Sequence, residues 1–246
     1  MIRLENLTKS YLTLRGRKYV FRNLSLEIPG GANIGLIGRN GAGKSTLMRL
    51  LSKVDLPDSG DIITTASLSW PVGLSGGMQS TLTGRDNVKF VCRIHGVRGP
   101  LMRKKIEYVQ RFAQLGQYFD EPISTYSSGM RARLAFGTSM AFHFDYYLID
   151  EVMAVGDATF KARSRKAFKK RLKKSKVIIV SHSMRLIRRM CDVVVVLENG
   201  NATVYDSAEK GIAAYLESGK RYNAQLAKAH RAAKRKQAAL AAVGAS

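Results

Sequence analysis

The residues GRNGAGKST, from Gly38 to Thr46, place glycines, a lysine and two hydroxyl groups in the order G-x-x-x-x-G-K-[ST]. They follow the apolar run ANIGLIG and lead into STLMRLLSKV, which has helical spacing, so a turn between a strand and a helix is predicted. Glycines let successive backbone N–H groups face phosphate oxygens, and the helix N-terminus adds partial positive charge. We expect Lys44 to reach the outer phosphates of a nucleotide and the Ser45 hydroxyl to bind Mg²⁺. The predicted nucleotide ligands in this loop are Gly38, Arg39, Asn40, Gly41, Ala42, Gly43, Lys44, Ser45 and Thr46.

Two adjacent carboxylates, Asp150 and Glu151, end the segment FDYYLIDE. One interpretation is a solvated strand end. Beside a phosphate loop, the favoured interpretation assigns Asp150 to Mg²⁺ through its water shell and makes Glu151 the general base that polarises the attacking water. We expect the strand that ends at Asp150 to become a neighbour of the strand that ends at Gly38, with a subdomain inserted between them in sequence.

A histidine, His182, follows the apolar run VIIVS. If the sheet is parallel, this residue lies at the same sheet edge as the phosphate loop. A lone histidine is commonly structural, but the placement beside a nucleotide site favours a sensor of the γ-phosphate. The predicted catalytic residues are therefore Lys44, Glu151 and His182.

Apolar runs of buried-strand length alternate with helical segments, which predicts an α/β domain with a mainly parallel sheet. The alternating segments MIRLENL and FRNLSLEI predict an antiparallel edge sheet. Residues 79–141 lack strand-like runs and indicate an inserted helical subdomain. The predicted units are an α/β core over residues 1–78 and 142–217, the helical subdomain over 79–141, and a basic tail over 218–246 that is helical or frayed.

Positive charge dominates the 246-residue chain, whose formal net charge is +23. Ten lysines and arginines and no acidic residue lie between Lys161 and Lys176, and seven more basic residues lie from Lys220 onward. One interpretation is a set of solvated helix faces. The summed excess favours attraction to acidic lipid headgroups or to an acidic glycan.

Cysteine usage and hydropathy predict a cytoplasmic protein. Cys92 and Cys191 belong to no CxxC pattern, which argues against a disulfide framework or a zinc site. No apolar run reaches the ~20 residues that a membrane-spanning helix needs, and the segment MIRLENLTKS has no apolar signal-peptide core.

The phosphate loop, the Asp150–Glu151 pair and His182 occur in the order and spacing of an ABC transporter ATPase domain, which residues 1–215 resemble. The resemblance implies a P-loop NTPase core, ATP and Mg²⁺ as cofactors, and a homodimer that sandwiches two ATP molecules. Each site would then use the phosphate loop of one chain and the signature motif of the other. Tyr11 in LTKSY matches the aromatic residue that stacks on adenine, and the alternative is an ordinary aromatic residue of the strand. Asp157 in EVMAVGD matches the last residue of the D-loop, which crosses the dimer interface.

Two segments compete for the signature motif. LSGGMQ, which contains Ser75, has the familiar letters but lies far before Asp150 and leads into a turn-like segment. YSSGMRARLAF lies at the family's distance from Asp150, and a helical pattern follows it at once. We therefore assign the ATP contact across the dimer to Ser127, Ser128 and Gly129.

LSGGMQ instead falls where the family has its Q-loop, whose glutamine senses Mg²⁺ and the attacking water and couples to the membrane partner. Gln79 is the glutamine at that place and is assigned to ATP and Mg²⁺, although it lies closer to the helical entry than is usual. The alternative is a flexible glycine hinge with no ligand role.

The run DEVMAVGD departs from the common DEPTSALD and resembles the branch that exports lipid-linked polysaccharides. About 30 residues follow the core, which leaves no room for the carbohydrate-binding domain of longer members and favours the capsule type. That type implies two copies of a polytopic permease and a peripheral position on the cytoplasmic face of the inner membrane. One alternative is an ABC ATPase for another cargo. A second is an ABC ATPase that acts on nucleic acid, which the lack of long coiled coils and of a second ATPase domain argues against, so no nucleic-acid partner is expected.

Overall fold

The computed structural model describes residues 1–72, 78–150 and 157–223. Ser75 of the LSGGMQ segment, the predicted base Glu151 and the tail beyond residue 223 lie outside the described residues. Within the three described ranges, no helix is both long and apolar enough to cross a membrane.

The described residues form strands and helices in alternation, as the apolar runs predict. The strands are β1 (Ile2–Thr13), β2 (Gly16–Ile28), β3 (Ile34–Gly38), β4 (Ser59–Thr64), β5 (Tyr146–Asp150), β6 (Lys176–Val180), β7 (Val193–Glu198) and β8 (Asn201–Tyr205). The helices are α1 (Lys44–Leu51), α2 (Gly84–Ile94), α3 (Gly99–Ala113), α4 (Ser128–Ala141), α5 (Ala158–Leu172) and α6 (Met184–Met190). A further helix, called here the 208–223 helix, follows β8.

The central sheet has the order β5-β6-β3-β7-β8. Its first four strands are parallel, and β8 joins β7 as an antiparallel hairpin. The parallel strands are nearly continuous apolar runs because helices cover both faces of such a sheet. This arrangement confirms the predicted α/β class with a mainly parallel sheet.

One expectation about this sheet is wrong. The strand that ends at Asp150 is not a neighbour of the strand that ends at Gly38, because β6 pairs with both and lies between them. Parallel strands nevertheless direct their carboxyl ends to one edge, so the two residues still reach the same side of the sheet.

A second sheet, β2-β1-β4, is antiparallel and confirms the predicted edge sheet. Its strands bury alternate side chains, among them Leu4, Leu7 and Phe21, in one cluster with β3 and α1. β4 was not predicted from the sequence. The far end of β1 carries Tyr11 towards the loop that follows β3.

Residues 84–141 contain three α-helices and two short 3-10 helices, at Gly116–Asp120 and Ile123–Thr125, which matches the helical pattern expected there. Thr83 caps α2 by accepting a hydrogen bond from the Asp86 N–H. α4 is buried on most of its surface, and Phe136 packs in an offset stack with Phe112 of α3. The exact bounds of the helical subdomain remain a prediction.

Cys92 and Cys191 are free and buried. Burial, and to a smaller extent the neighbouring Asp192 charge, raises the pKa of Cys191 to about 12. This thiol is therefore an apolar packing group at neutral pH.

Candidate nucleotide-binding site

The phosphate loop lies between the end of β3 and the first residue of α1, as predicted. Gly43 adopts φ +99°, and a Cβ atom there would lie 2.7 Å from side-chain atoms of Val20 and Phe21. Only glycine meets both requirements, because the backbone is left-handed and β2 packs directly against it. The edge sheet therefore holds the loop in its curled shape.

Lys44 is nearly buried within the curl of this loop, with 8% of its surface exposed. Its Nζ donates hydrogen bonds to the carbonyl oxygens of Gly38 at 2.7 Å and Arg39 at 2.9 Å. These bonds fix the ammonium group at the N-terminus of α1, where the helix adds partial positive charge. The loop can therefore bind an anionic group.

Oxygen ligands for a cation lie next to this charge. The Ser45 hydroxyl donates to Asp150 Oδ2 at 3.4 Å, so the end of β5 meets the start of α1. Hydroxyl and carboxylate oxygens are the ligands that Mg²⁺ prefers. The two side chains therefore fit a magnesium ion.

These groups line one pocket of about 740 Å³. Of the predicted residues, the pocket contains Tyr11, every loop residue from Arg39 to Thr46, Asp150 and His182. Gly38 ends β3 directly beneath it. The pocket also contains residues that the motifs did not indicate: Lys18, Tyr19, Val20, Val180, Glu198, Asn199, Gly200 and Tyr222.

One of the missed groups had a local sequence pattern. Asn199 and Gly200 have positive φ values of 50° and 80° and form the turn between β7 and β8. An Asn-Gly pair between apolar segments is typical of such a hairpin turn. Lys18 and Tyr222 have no comparable pattern, since only the tertiary fold brings them to the pocket.

Tyr11 is anchored at the pocket through its hydroxyl group, which donates to Asp55 Oδ2 at 2.8 Å. Burial, and then this hydrogen bond, raises the pKa of Tyr11. The Lys9 ammonium lies 5.1 Å from the ring centroid and donates to Asp55 Oδ1 at 2.7 Å. The ring is thus held in one place, and its stacking on adenine remains a prediction.

Ser127 and its neighbours begin α4, as the helical pattern indicates. The Ser127 hydroxyl accepts a hydrogen bond from the Met130 N–H at 3.2 Å and caps the helix. Ser127 and Ser128 are exposed, and a Cβ atom on Gly129 would meet nothing closer than 3.9 Å. Nothing in the described part of the chain therefore requires glycine at position 129, which suits the approach of an external group.

These three residues are not among the described residues that line the phosphate-loop pocket. The structure therefore does not bring Ser127, Ser128 and Gly129 to the phosphate loop of their own chain. Tyr126, which precedes them, is buried, and its hydroxyl donates to the Tyr118 carbonyl. Its ring anchors the start of α4.

Asp157 caps α5 by accepting a hydrogen bond from the Phe160 N–H at 2.8 Å. Its other oxygen pairs with Arg133 of α4 at 2.5 Å. The Phe160 N–H, and then the Arg133 charge, lowers the pKa of Asp157. The residue is thus fixed within its own chain, and its contact across a dimer remains a prediction.

Gln79 has an exposed side chain and is not among the residues that line the pocket. Its backbone is held instead, because the buried Asn87 side chain accepts from the Gln79 N–H at 2.8 Å and donates to the Gln79 carbonyl at 3.0 Å. Asn87 thereby ties this segment to α2. A ligand role for Gln79 remains a prediction.

A strand, a phosphate loop and a helix, with a serine and an aspartate meeting at the edge of a parallel sheet, define the P-loop NTPase class. The sequence family described as ABC transporter matches residues 21–154, which is more than half of the chain. The chain therefore belongs to the ABC transporter family and is an ABC ATPase.

Two relatives within the family are ATP-binding proteins of polysaccharide transport. The polysialic acid transport ATP-binding protein KpsT of Escherichia coli is 56% identical over 87% of this chain and 96% of its own length. The capsule polysaccharide export ATP-binding protein CtrD of Neisseria meningitidis serogroup B is 44% identical over 87% of this chain and 98% of its own.

A solved structure confirms the fold. The dimeric post-hydrolysis structure of an ATP-binding cassette bound to ADP and Pi superposes with a TM-score of 0.65. It is 21% identical, and the match covers 84% of this chain and 98% of that one.

The substitution Asp55→Asn tests the anchor of Tyr11. Burial alone would raise the pKa of Asp55, but hydrogen bonds from Lys9 and Tyr11 outweigh burial and lower it. The stability that these bonds contribute is therefore present above the unfolded-state pKa of about 3.9 and is lost as the pH falls through the lower folded-state pKa.

We expect Asp55→Asn to reduce the free energy of unfolding at pH 7, and the difference from the parent protein to shrink at acidic pH. Urea unfolding at several pH values measures this difference. Asp61→Asn on β4 is the control, and an equal effect of both variants at every pH would contradict the assignment.

Proposed function

We propose that this ABC ATPase energises the export of a capsular or related lipid-linked polysaccharide across the cytoplasmic membrane. The observation that carries the proposal is the 56% identity to KpsT, which extends over 96% of that protein. Export of another cargo is the alternative, since the phosphate site would be the same.

Within the pocket, the loop N–H groups and Lys44 bind the phosphates of ATP. Ser45 and, through a water shell, Asp150 would hold Mg²⁺, which would supply positive charge to neutralise the phosphates. Glu151 accepts the proton of the attacking water, and His182 contacts the γ-phosphate from the end of β6. The ring of Tyr11 stacks on adenine. Gln79 senses Mg²⁺ and the attacking water and couples the site to the membrane partner.

Two copies of the chain form the working unit in this proposal. The exposed Ser127, Ser128 and Gly129 of one copy contact the γ-phosphate bound to the other, with Asp157 near the boundary. The exposure of Ser127 and Ser128 supports this assembly, since these helix-start groups do not line the pocket of their own chain among the described residues. ATP closes the dimer, and hydrolysis reopens it.

The dimer works with two copies of a polytopic permease at the cytoplasmic face of the inner membrane. Closure moves the permease through residues 79–141, which lie between the two halves of the α/β core in sequence. Copurification from detergent-solubilised membranes tests this proposal. A polytopic partner of the polysaccharide-export type is the expected result, whereas copurifying ribosomes or DNA would overturn it.

The outer face of α5 supplies an electropositive surface for acidic lipid headgroups or an acidic glycan. Two of its arginines bind the helix to α3 and α4, because Arg163 donates to the Phe112 carbonyl and Arg171 to the Met140 carbonyl. Four other cations of α5 are exposed at positions i, i+1, i+4 and i+5, which places them on one face: Arg165, Lys166, Lys169 and Lys170. The exposed Lys173 and Lys174 follow in the turn after the helix.

Substitution of the exposed lysines on and just after α5 tests the contact of this surface with anions. We expect the combined change of Lys169, Lys170, Lys173 and Lys174 to glutamine to weaken binding to vesicles that contain anionic lipid at low salt, with a smaller difference at high salt. Vesicle cosedimentation measures the loss, and an acidic polysaccharide as competitor separates the two anions. The change of the tail lysines Lys228, Lys234 and Lys236 to glutamine shows what the tail adds, and unaltered binding by both variants would refute the contact.

The substitution Glu151→Gln tests the general base. Glutamine keeps the size of the side chain but cannot accept the proton, so ATP should bind without turnover and hold the dimer closed. Size-exclusion chromatography with ATP and Mg²⁺ should show a dimer for this variant and ATPase activity reduced by roughly 100-fold or more. Glu209→Gln, at an exposed position, is the control. Rapid turnover by Glu151→Gln would rule out the role.

A further inference from the structure

The 208–223 helix forms part of the wall around the phosphate site. Its residue Tyr222 lines the nucleotide pocket. Other residues of the helix, among them Tyr215 and Lys220, face Arg39 and His182 across an adjoining cavity of about 650 Å³. No phosphate-loop motif includes this helix, and its place in the site follows from the fold alone.

The contact between the helix and the loop is a stack of a cation on an aromatic ring. The Arg39 guanidinium carbon lies 3.4 Å from the centroid of the Tyr222 ring. A guanidinium stacked in this way has one face covered, while its N–H groups point outward in its own plane. Among the described residues, no acceptor forms a hydrogen bond with the side-chain N–H groups of Arg39.

The position of Arg39 indicates which part of a nucleotide it would meet. Arg39 and His182 line both the nucleotide pocket and the adjoining cavity, so Arg39 lies on the side where His182 is expected to contact the γ-phosphate. The Arg39 carbonyl also accepts a hydrogen bond from Lys44. Two cations of one loop are thus held by different partners, Lys44 by the loop itself and Arg39 by the 208–223 helix.

We propose that Tyr222 is a positioning residue for ATP: its ring holds the Arg39 guanidinium so that its N–H groups bind the γ-phosphate. The proposal rests on ATP as the ligand of this pocket but not on the identity of the exported cargo. It adds a residue outside the phosphate loop to the nucleotide site. It also gives the site a means of distinguishing ATP from ADP, because only ATP has the phosphate that Arg39 would reach.

The substitution Tyr222→Leu removes the π-face and keeps an apolar side chain. We expect the Kd for ATP with Mg²⁺ to rise by about 3- to 10-fold, the range of a partly desolvated cation–π contact, and the Kd for ADP to change by less than about 2-fold. Tyr222→Phe keeps the ring face and should restore ATP binding. Isothermal titration calorimetry of the full chain with each nucleotide measures these constants.

Two further variants separate positioning from a general structural effect. Tyr118→Leu replaces an exposed tyrosine that is not among the described residues lining the pocket, and it should leave the Kd values for ATP and ADP unchanged. Arg39→Gln should weaken ATP binding, and adding Tyr222→Leu to it should cause no further loss, since the ring then has no cation to hold.

Three outcomes would overturn the proposal: unchanged or tighter ATP binding by Tyr222→Leu, equal losses for ATP and ADP, or failure of Tyr222→Phe to restore binding. Failure of the parent protein to bind ATP would instead reject the function proposed for the pocket. Thermal unfolding without nucleotide verifies that each variant is folded.

Discussion

The parallel alignment of β5, β6 and β3 is the constraint on which the site depends. Each of these strands ends at the same sheet edge, so Asp150, His182 and the phosphate loop meet there although they are far apart in sequence. The order of the strands matters less than their direction. β6 separates the other two strands, and yet the Ser45 hydroxyl still reaches Asp150.

Local patterns in the sequence predicted the groups that depend on local geometry. The phosphate loop, the cap at Ser127 and the helices between residues 84 and 141 follow from residue type and spacing within short windows. The strand order, β4 and the place of Tyr222 could not be predicted, because they depend on packing between segments that are distant in sequence. The Asn199-Gly200 turn was a missed local pattern.

The residues expected to contact a second chain also form helix caps and an ion pair within their own chain. Ser127 caps α4, and Asp157 caps α5 while it pairs with Arg133 of α4. These caps fix the groups before any partner arrives, which lowers the conformational entropy that assembly would cost. α4 and α5 are therefore linked at the ends that the proposed dimer would use.

The exposed cations of α5 have a consequence for how the protein responds to salt. Along its outer face, lysines and arginines repeat at i,i+4 spacing, where like charges destabilise a helix by a few tenths of a kcal/mol per pair. Ions screen that repulsion, just as they screen attraction to an anionic partner. Added salt should therefore stabilise this helix while it releases whatever the helix binds, so the conditions that best preserve the isolated protein oppose those that favour its association.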